Sequence, residues 1–214
     1  ESDSQIKVVG IARNGKEALE KIPILKPDVI TLDVEMPIMN GITALEEIIN
    51  KYDIPVIMLS SLTTEGAELT LKALEIGAVD FIAKPKNVFN VGSDYVKKDL
   101  IEKVKVVSKS KNIKSYLSYS DNKKVPKKPF TASKFSDNDY KNIVAIGTST
   151  GGPRALQQII PKMPSNINAT LVVVQHMPKG FTKSLANRLN TLSEIEVKEG
   201  EDGEILKRGF CYIA

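Results

Sequence analysis

The sequence predicts an α/β protein in which short buried strands alternate with amphipathic helices. Three runs, VVGI, VITL and VIML, are almost entirely apolar, as expected of strands that are covered on both faces of a parallel sheet. The segments between them repeat apolar residues with a helical period. The same alternation restarts after residue 140, so we predict two parallel-sheet regions with packed helices.

The first region is assigned element by element from these patterns. Strands are expected at the β-prone segments QIKVVGIA, VITLDVEMP, PVIMLSS and VDFIAKP. Helices are expected at the amphipathic segments GKEALEKIPIL, ITALEEIIN, GAELTLKALEIG and DYVKKDLIEKVKVV. Open parallel sheets place their functional side chains at the carboxyl ends of the strands.

The second region begins near Asn142. Strands are expected at IVAIG, TLVVVQH and IEVKEG, helices at PRALQQIIPKM and FTKSLANRLNTL, and a hairpin at EDGEILKRGFCYIA. Pro153 suits the first turn of a helix, where its missing N–H would have been unpaired anyway. Gly147, Gly151 and Gly152 are expected to let the backbone turn tightly between the first strand and this helix.

Composition excludes several classes of protein. No run approaches the ~18 apolar residues of a membrane span, and the N-terminal ESDSQIKVVG lacks the pattern of a signal peptide. We therefore expect a cytoplasmic protein with no membrane insertion. Cys211 and His176 are the only cysteine and the only histidine. An internal disulfide is thereby excluded, and a structural zinc site lacks its usual ligands.

A basic segment separates the two regions. Residues 109–140 hold eight lysines and three aspartates, a net charge of +5, whereas the whole chain has a formal net charge of +4. The segment has no sustained apolar period, which is typical of a flexible linker. The predicted organisation is a first domain at 1–108, a linker at 109–140 and a second domain at 141–214. No helix-turn-helix pattern follows the first domain, so no nucleic-acid partner is expected, and contact of the tether with acidic partners or RNA is the minor alternative.

Three polar residues follow strands of the first domain. Asp33 ends VITLD, Ser60 follows VIML and Lys84 follows VDFIA. Each alone is typical of a loop, a cap or a solvated surface, but together they would bring a carboxylate, a hydroxyl and an ammonium to one edge. A carboxylate can accept a phosphoryl group, an ammonium can neutralise the added charge, and a hydroxyl can bond a phosphoryl oxygen.

The segments LDVEMPIMNG, MLSSLT and DFIAKP resemble the receiver domain of two-component response regulators, which has a flavodoxin-like, doubly wound parallel sheet. The resemblance runs from about residue 5 to about residue 107. It implies that a chemotaxis-type histidine kinase phosphorylates Asp33, and that Ser60 and Phe81 are the switch hydroxyl and the switch aromatic residue.

The same resemblance implies a phosphoryl contact and a magnesium site. Lys84, with the cis-prone bond before Pro85, would contact the phosphoryl group. Asp33 and the backbone carbonyl of Glu35 would be Mg²⁺ ligands. Receivers hold most of the Mg²⁺ with paired acids after a first strand, and this chain opens beyond that strand, with Asp3 a poor substitute. We therefore expect an N-terminally truncated receiver with an incomplete ligand set, an exposed sheet edge and poor phosphorylation.

The loop GTSTGG of the second region has several interpretations. Dinucleotide binding is disfavoured, because Ser149 stands where the pyrophosphate approaches a glycine and the next strand ends in Gln175 and His176 rather than an acid. GTSTG fits the nucleophile elbow of α/β-hydrolases, but there an acid precedes a histidine near the domain's end. A serine nucleophile with His176 as base is sterically permitted, since adjacent strand ends lie ~4.8 Å apart. A helix-capping serine with a histidine bonded to a loop carbonyl is equally compatible with the residues alone.

The segments IVAIGTSTGGPRAL, VVVQHMPKGFTKSLANRL and EGEDGEILKRGFCYIA resemble the start of the catalytic domain of chemotaxis protein-glutamate methylesterases, the CheB family. In that family a receiver is tethered to this domain. The resemblance implies hydrolysis of glutamate methyl esters on the cytoplasmic helices of chemoreceptors, with release of methanol and without a cofactor, and deamidation of receptor glutamines. Ser149 would be the nucleophile and His176 its base, with Thr150 helping to hold the imidazole.

A triad of this kind also needs an acid that orients the histidine. Asp202 is the only aspartate after His176, and its EDGE context indicates a tight turn. In the family the acid lies further downstream, so we expect a C-terminally truncated catalytic domain and little esterase activity from these 214 residues alone. The alternative is a phosphorylation-controlled binding module without esterase activity, in which Ser149 caps a helix.

Overall fold

The structure, a computed structural model, describes residues 3–84, 93–109 and 142–214. These residues belong to two compact units, Glu1–Asp121 and Asn122–Ala214. The linker predicted at 109–140 lies outside the described residues apart from Lys109, and so does Pro85. Each helix within the described ranges is too short or too polar to cross a membrane.

The first unit contains a parallel sheet of three strands in the order β1-β2-β3. Its strands are β1 (Ile30–Asp33), β2 (Val56–Ser60) and β3 (Asp80–Ala83), and its helices are α1 (Gly15–Leu25), α2 (Gly41–Lys51), α3 (Thr64–Ile76) and α4 (Ser93–Ser108). Asp33 lies opposite Leu59 and Ser60 opposite Ala83, so the three strands end at one edge of the sheet. The predicted alternation and the parallel sheet are confirmed.

Polar caps begin three of these helices. The side chains of Asn14, Asn40 and Thr63 accept hydrogen bonds from N–H groups in the first turns of α1, α2 and α3. Each cap satisfies a donor that the helix cannot pair internally and contributes ~1 kcal/mol. One apolar stripe then faces the core, as in α2, where Leu45 and Ile48 are fully buried.

Residues 5–12 do not form the strand that their sequence predicts. They belong to neither sheet, and Val8, Val9 and Ile11 are 50%, 45% and 75% exposed. Together with β1 they line a groove of about 590 Å³. A strand is stable only when it is hydrogen-bonded to neighbours, and within the described part of the chain β1 pairs with β2 alone. The prediction of a strand at QIKVVGIA is therefore wrong.

The second unit contains a parallel sheet of four strands in the order β4-β5-β7-β6. Its strands are β4 (Ile143–Thr148), β5 (Thr170–Gln175), β6 (Glu196–Glu199) and β7 (Phe210–Ile213); its helices are α5 (Gly152–Ile159), a 3₁₀ helix (Ile160–Lys162) and α6 (Phe181–Leu192). Helix α6 packs against β6 and β7 and buries Leu185 and Leu189 completely. Each such leucine contributes ~1.5–3 kcal/mol of transfer free energy.

The last two strands are parallel, so the hairpin predicted at 201–214 is wrong. Glu196 pairs with Phe210 in a parallel register. The tight turn expected at EDGE is present, because Glu204 N–H donates to Glu201 C=O and Gly203 has a φ of 75°. That turn lies inside the connection from β6 back to the start of β7. The buried strand FCYI is hydrogen-bonded to β5 and β6 on its two sides, whereas an edge hairpin would pair it on one side only.

Candidate functional site

Asp33, Ser60 and Lys84 lie at one edge of the first sheet, at or directly after the ends of three neighbouring strands. Strand β2 separates β1 from β3, so the backbones around Asp33 and Lys84 are two strand spacings apart, ~9.6 Å. Lys84 Nζ nonetheless lies 2.6 Å from Asp33 Oδ2. The structure thus brings the carboxylate and the ammonium into direct contact.

The Asp33 carboxylate is held in place and open to solvent. Its side chain is 31% exposed, and Oδ1 accepts the backbone N–H of Glu35 at 3.0 Å. Helix α2 begins very close by, since a Cβ on Gly41 would lie 1.9 Å from the carbonyl oxygen of Asp33. Only glycine permits that approach. An accessible, oriented carboxylate beside a cation is suited to accept a phosphoryl group.

Ser60 and Phe81 are both buried and contact groups other than this carboxylate. Ser60 is fully buried, and its hydroxyl donates to the carbonyl of Gly66 on α3 at 2.9 Å. Phe81 is also buried, and Lys103 Nζ of α4 lies 5.4 Å from its ring centroid. The structure therefore places both residues near the edge but does not join the Ser60 hydroxyl to Asp33.

Ser61, which the sequence reasoning passed over, contacts the acidic loop. Its Oγ lies 3.4 Å from Glu35 Oε1 and 3.1 Å from Thr63 Oγ1. The only sequence signal for it was the serine doublet at the end of β2. Carboxylate and carbonyl oxygens suit Mg²⁺, but the described residues contain no cluster of three or more His, Cys, Asp or Glu side chains able to hold a metal. Ligation of Mg²⁺ by Asp33 and by the backbone carbonyl of Glu35 stays a prediction.

In the second unit, Ser149 and His176 follow directly after a paired position of two adjacent strands. Thr148 and Gln175, the last residues of β4 and β5, lie opposite each other. His176 N–H donates to the carbonyl of Thr148 at 3.0 Å. Both Ser149 and His176 are exposed, so a residue with a hydroxyl and a residue with an imidazole lie at neighbouring strand ends.

The turn that presents Ser149 depends on two glycines. Gly151 has a φ of 75° at the N-cap of α5, and Gly152 N–H donates to the carbonyl of Ser149 at 2.8 Å. The half-buried Thr150 lies in this turn. Gly147, by contrast, lies within β4 with no positive φ and open space around it. The expectation that all three glycines serve the turn is therefore wrong for Gly147, because the strand continues through it to Thr148.

Two other residues of this unit carry groups that occur in catalytic sites, the Cys211 thiol and the Asp202 carboxylate. Burial raises the pKa of the Cys211 thiol to about 12, so it stays protonated and is a poor nucleophile. Asp202 is exposed in the turn between Glu201 and Glu204. Its position agrees with the interpretation of EDGE as a turn.

Two family models match the chain. Residues 1–91 match the response regulator receiver domain, and residues 144–214 match the CheB methylesterase. The matched ranges overlap the two parallel sheets, one in each compact unit. Residues 144–214 are thus similar to the CheB methylesterase domain and residues 1–91 to the receiver domain.

The chain is similar over nearly all of its length to proteins named protein-glutamate methylesterase/protein-glutamine glutaminase. The one from Bacillus subtilis (strain 168) is 52% identical, over 99% of this chain and 60% of the relative. The one from Geobacillus kaustophilus (strain HTA426) is 50% identical, over 98% of this chain and 59% of the relative. This chain thus spans about 60% of the length of these curated relatives.

Solved structures also match. The response regulator domain of Thermotoga maritima CheB is 49% identical, with a TM-score of 0.47, over 51% of this chain and 82% of that chain. The Thermotoga maritima CheB methylesterase catalytic domain is 66% identical, with a TM-score of 0.34, over 34% of this chain and 39% of that chain.

Proposed function

We propose that the protein is a phosphorylation-regulated hydrolase that cleaves glutamate methyl esters on chemoreceptors, releasing methanol, and deamidates receptor glutamines. The observation that carries this proposal is the position of Ser149 and His176 at adjacent ends of β4 and β5. It is supported by the 52% identity to a protein named for both activities. A methyl ester and a side-chain amide both present a carbonyl carbon to a hydroxyl, so one site would serve both reactions.

In the proposed reaction, Ser149 Oγ attacks the ester carbonyl carbon while His176 takes the hydroxyl proton. Collapse of the tetrahedral intermediate breaks the bond to the methoxy oxygen, which leaves as methanol with that proton. A water molecule, deprotonated by the same imidazole, then hydrolyses the acyl-serine to glutamate and free serine. Thr150 would help to hold the imidazole, and N–H groups at the start of α5 would bond the developing oxyanion.

Asp33 is the proposed phosphoryl acceptor. One carboxylate oxygen would form the new bond to phosphorus as the phosphorus–nitrogen bond to the histidine of a chemotaxis kinase breaks. Lys84, already 2.6 Å from the carboxylate, would then bond the added phosphoryl oxygens. Mg²⁺, which receiver phosphorylation requires, would balance charge when bound, with Asp33 and the carbonyl of Glu35 as its ligands here.

The proposed switch is the movement of Ser60. Its hydroxyl would leave the Gly66 carbonyl and bond a phosphoryl oxygen, and Phe81 would move into the space released. Replacing Asp33 by asparagine in the full-length protein, including any sequence that flanks these 214 residues, should abolish phosphate incorporation from a small-molecule phosphodonor. Incorporation at the wild-type level would exclude Asp33 as the acceptor.

We further propose that the receiver gates the hydrolase, so that phosphorylation of Asp33 raises the rate of methanol release. Deleting residues 1–140 from the full-length protein should therefore raise basal methanol release. An unchanged rate would contradict gating.

A serine-directed fluorophosphonate distinguishes the hydrolase from a binding module. The full-length protein should carry the label on Ser149, and the Ser149→Ala variant should carry none. Tight nucleotide binding without labelling would instead favour the binding module.

A further inference from the structure

Gln175, the last residue of β5, bonds the backbones of both proposed catalytic residues. It is 4% exposed. Its Nε2 donates to the carbonyl of Ser149 at 3.1 Å and to the carbonyl of His176 at 3.1 Å. Its Oε1 accepts the hydroxyl of Thr148 at 2.6 Å. One buried amide therefore spans the ends of β4 and β5.

The direction of this amide follows from its partners. The carbonyl oxygens of Ser149 and His176 can only accept hydrogen bonds, so the NH₂ end of Gln175 must face them. The opposite end then needs a donor, and the Thr148 hydroxyl is that donor. Thr148 thereby holds the amide in the one orientation that bonds both carbonyls.

The surrounding backbone leaves this side chain little freedom. A Cβ on Gly152 would lie 2.1 Å from Gln175 Oε1, so only glycine at the start of α5 leaves room for the amide. Gln175 N–H donates to the carbonyl of Ala214, beyond the end of β7, at 2.8 Å. The residue is thus hydrogen-bonded to three strand ends at once.

We propose that Gln175 is a positioning residue that sets the distance and orientation between Ser149 and His176, with Thr148 orienting its amide. This inference rests on the proposed function. Fixing the two carbonyls fixes the peptide planes from which the hydroxyl and the imidazole project. Rates depend steeply on such placement, since a misplacement of ~1 Å can lower a rate ~10²-fold.

Three variants remove or restore this bonding. Gln175→Met keeps the length and volume of the side chain and removes its three hydrogen bonds. Thr148→Val keeps the shape and removes the donor that orients the amide, whereas Thr148→Ser retains a hydroxyl. The matched control is Thr170→Val at the opposite end of β5, where a fully buried hydroxyl donates to the carbonyl of Lys207 at 2.9 Å.

The measurement is the rate at which a fluorophosphonate phosphonylates Ser149 in the full-length protein, with loss of fluoride, expressed per folded molecule from circular dichroism. We expect Gln175→Met to lower this rate by between about 10-fold and about 100-fold, and Thr148→Val to lower it by about 10-fold. Thr148→Ser should recover most of that loss. Thr170→Val, which breaks a comparable buried bond far from the strand ends, should change the rate less than about 2-fold.

A charge variant adds a readout that a purely structural role would not move. In Gln175→Glu, an ionised carboxylate would face two carbonyl oxygens, whereas the protonated acid can donate to one of them. The rate of Gln175→Glu relative to wild type should therefore be higher at pH 5 than at pH 8. A ratio that does not change with pH contradicts the proposed orientation.

The outcomes separate this inference from the function on which it rests. If wild-type Ser149 is not labelled, the proposed hydrolase function and the positioning role of Gln175 are both overturned. If wild-type Ser149 is labelled, but Gln175→Met and Thr148→Val lower the rate no more than Thr170→Val does, the positioning role alone is overturned. If Gln175→Met does not fold, the comparison of Thr148→Val with Thr148→Ser decides, and equal rates for these two variants overturn the inference.

Discussion

Replacing Lys103 by methionine should destabilise the first unit strongly, because this lysine crosses from α4 to a buried acid at the start of β3. Lys103 Nζ lies 3.5 Å from Asp80 Oδ1 and 3.5 Å from Asp99 Oδ2, and donates to the carbonyl of Phe81 at 2.7 Å. Asp80 is 2% exposed. Among the described residues, Lys103 is the only cation paired with it.

The size of the destabilisation follows from the hydrogen bonds that Asp80 keeps when Lys103 is replaced. Without Lys103, the Asp80 carboxylate keeps one hydrogen bond, from Phe81 N–H at 2.8 Å to Oδ1, while Oδ2 has no partner within the described residues. Removing one member of a buried ion pair costs ~3–5 kcal/mol. The cost applies to the ionised acid, so it depends on pH.

The direction of the pH dependence follows from the pKa of Asp80. Burial raises this pKa, and the Lys103 ammonium partly offsets the rise. A carboxyl with a raised folded-state pKa contributes stability that is present below its unfolded pKa and lost as the pH rises through the folded value. Losing the ammonium raises the folded pKa further, so Lys103→Met should cost more at pH 7 than at pH 4.

The assay is urea unfolding at both pH values, with hydrogen exchange of β2 and β3 peptides to assign the loss to the first unit. The matched control is Lys98→Met, which removes an exposed lysine of the same helix and should cost less than ~0.5 kcal/mol. Adding Asp80→Asn to Lys103→Met should recover much of the loss. Two results would contradict this prediction: a loss of free energy of unfolding in Lys103→Met no larger than in Lys98→Met, or a loss that is equal at pH 4 and pH 7.

Three further predictions concern single positions. Ser193→Ala should raise the free energy of unfolding by ~1 kcal/mol, because the buried Ser193 hydroxyl has no hydrogen-bond partner within the described residues; thermal unfolding with an unchanged or lower midpoint would contradict this. Cys211, with its pKa raised to about 12 by burial, should react with a disulfide reagent at pH 8 only after denaturant is added, and prompt native labelling would show that the thiol is accessible. Gly41→Ala should lower the free energy of unfolding by roughly 3 kcal/mol, because its Cβ would meet the carbonyl of Asp33. Gly147→Ala should leave the free energy of unfolding nearly unchanged, because the space around Gly147 is open. Equal thermal unfolding midpoints for the two variants would contradict the close approach at Gly41.

The helices and most strands could be predicted because burial imposes a period on the sequence that is visible over a few residues. The two errors concern strand pairing, which depends on neighbours remote in sequence. Residues 5–12 have the composition of a strand, yet no described strand pairs with them. Residues 201–214 contain a true turn, yet FCYI pairs between β5 and β6, a position that local patterns do not encode.

The sequence predicts only those site residues that follow the carboxyl ends of parallel strands. Asp33 and Lys84 meet because both follow parallel strands of one sheet. The sequence around Gln175 predicts only that β5 ends without an acid, although a polar side chain at the end of TLVVVQ indicates a buried polar contact. Lys103 gave no signal, because one basic residue on an amphipathic helix is ordinarily solvated, and its partner Asp80 lies in another element.

Methanol release from methylated chemoreceptor by the full-length protein, compared with release by Ser149→Ala, tests whether Ser149 is the nucleophile of an esterase. We expect the wild-type protein to release methanol and Ser149→Ala to lower the rate by at least ~10³-fold, as expected for loss of a nucleophile. Methanol release by Ser149→Ala at the wild-type rate would contradict this expectation.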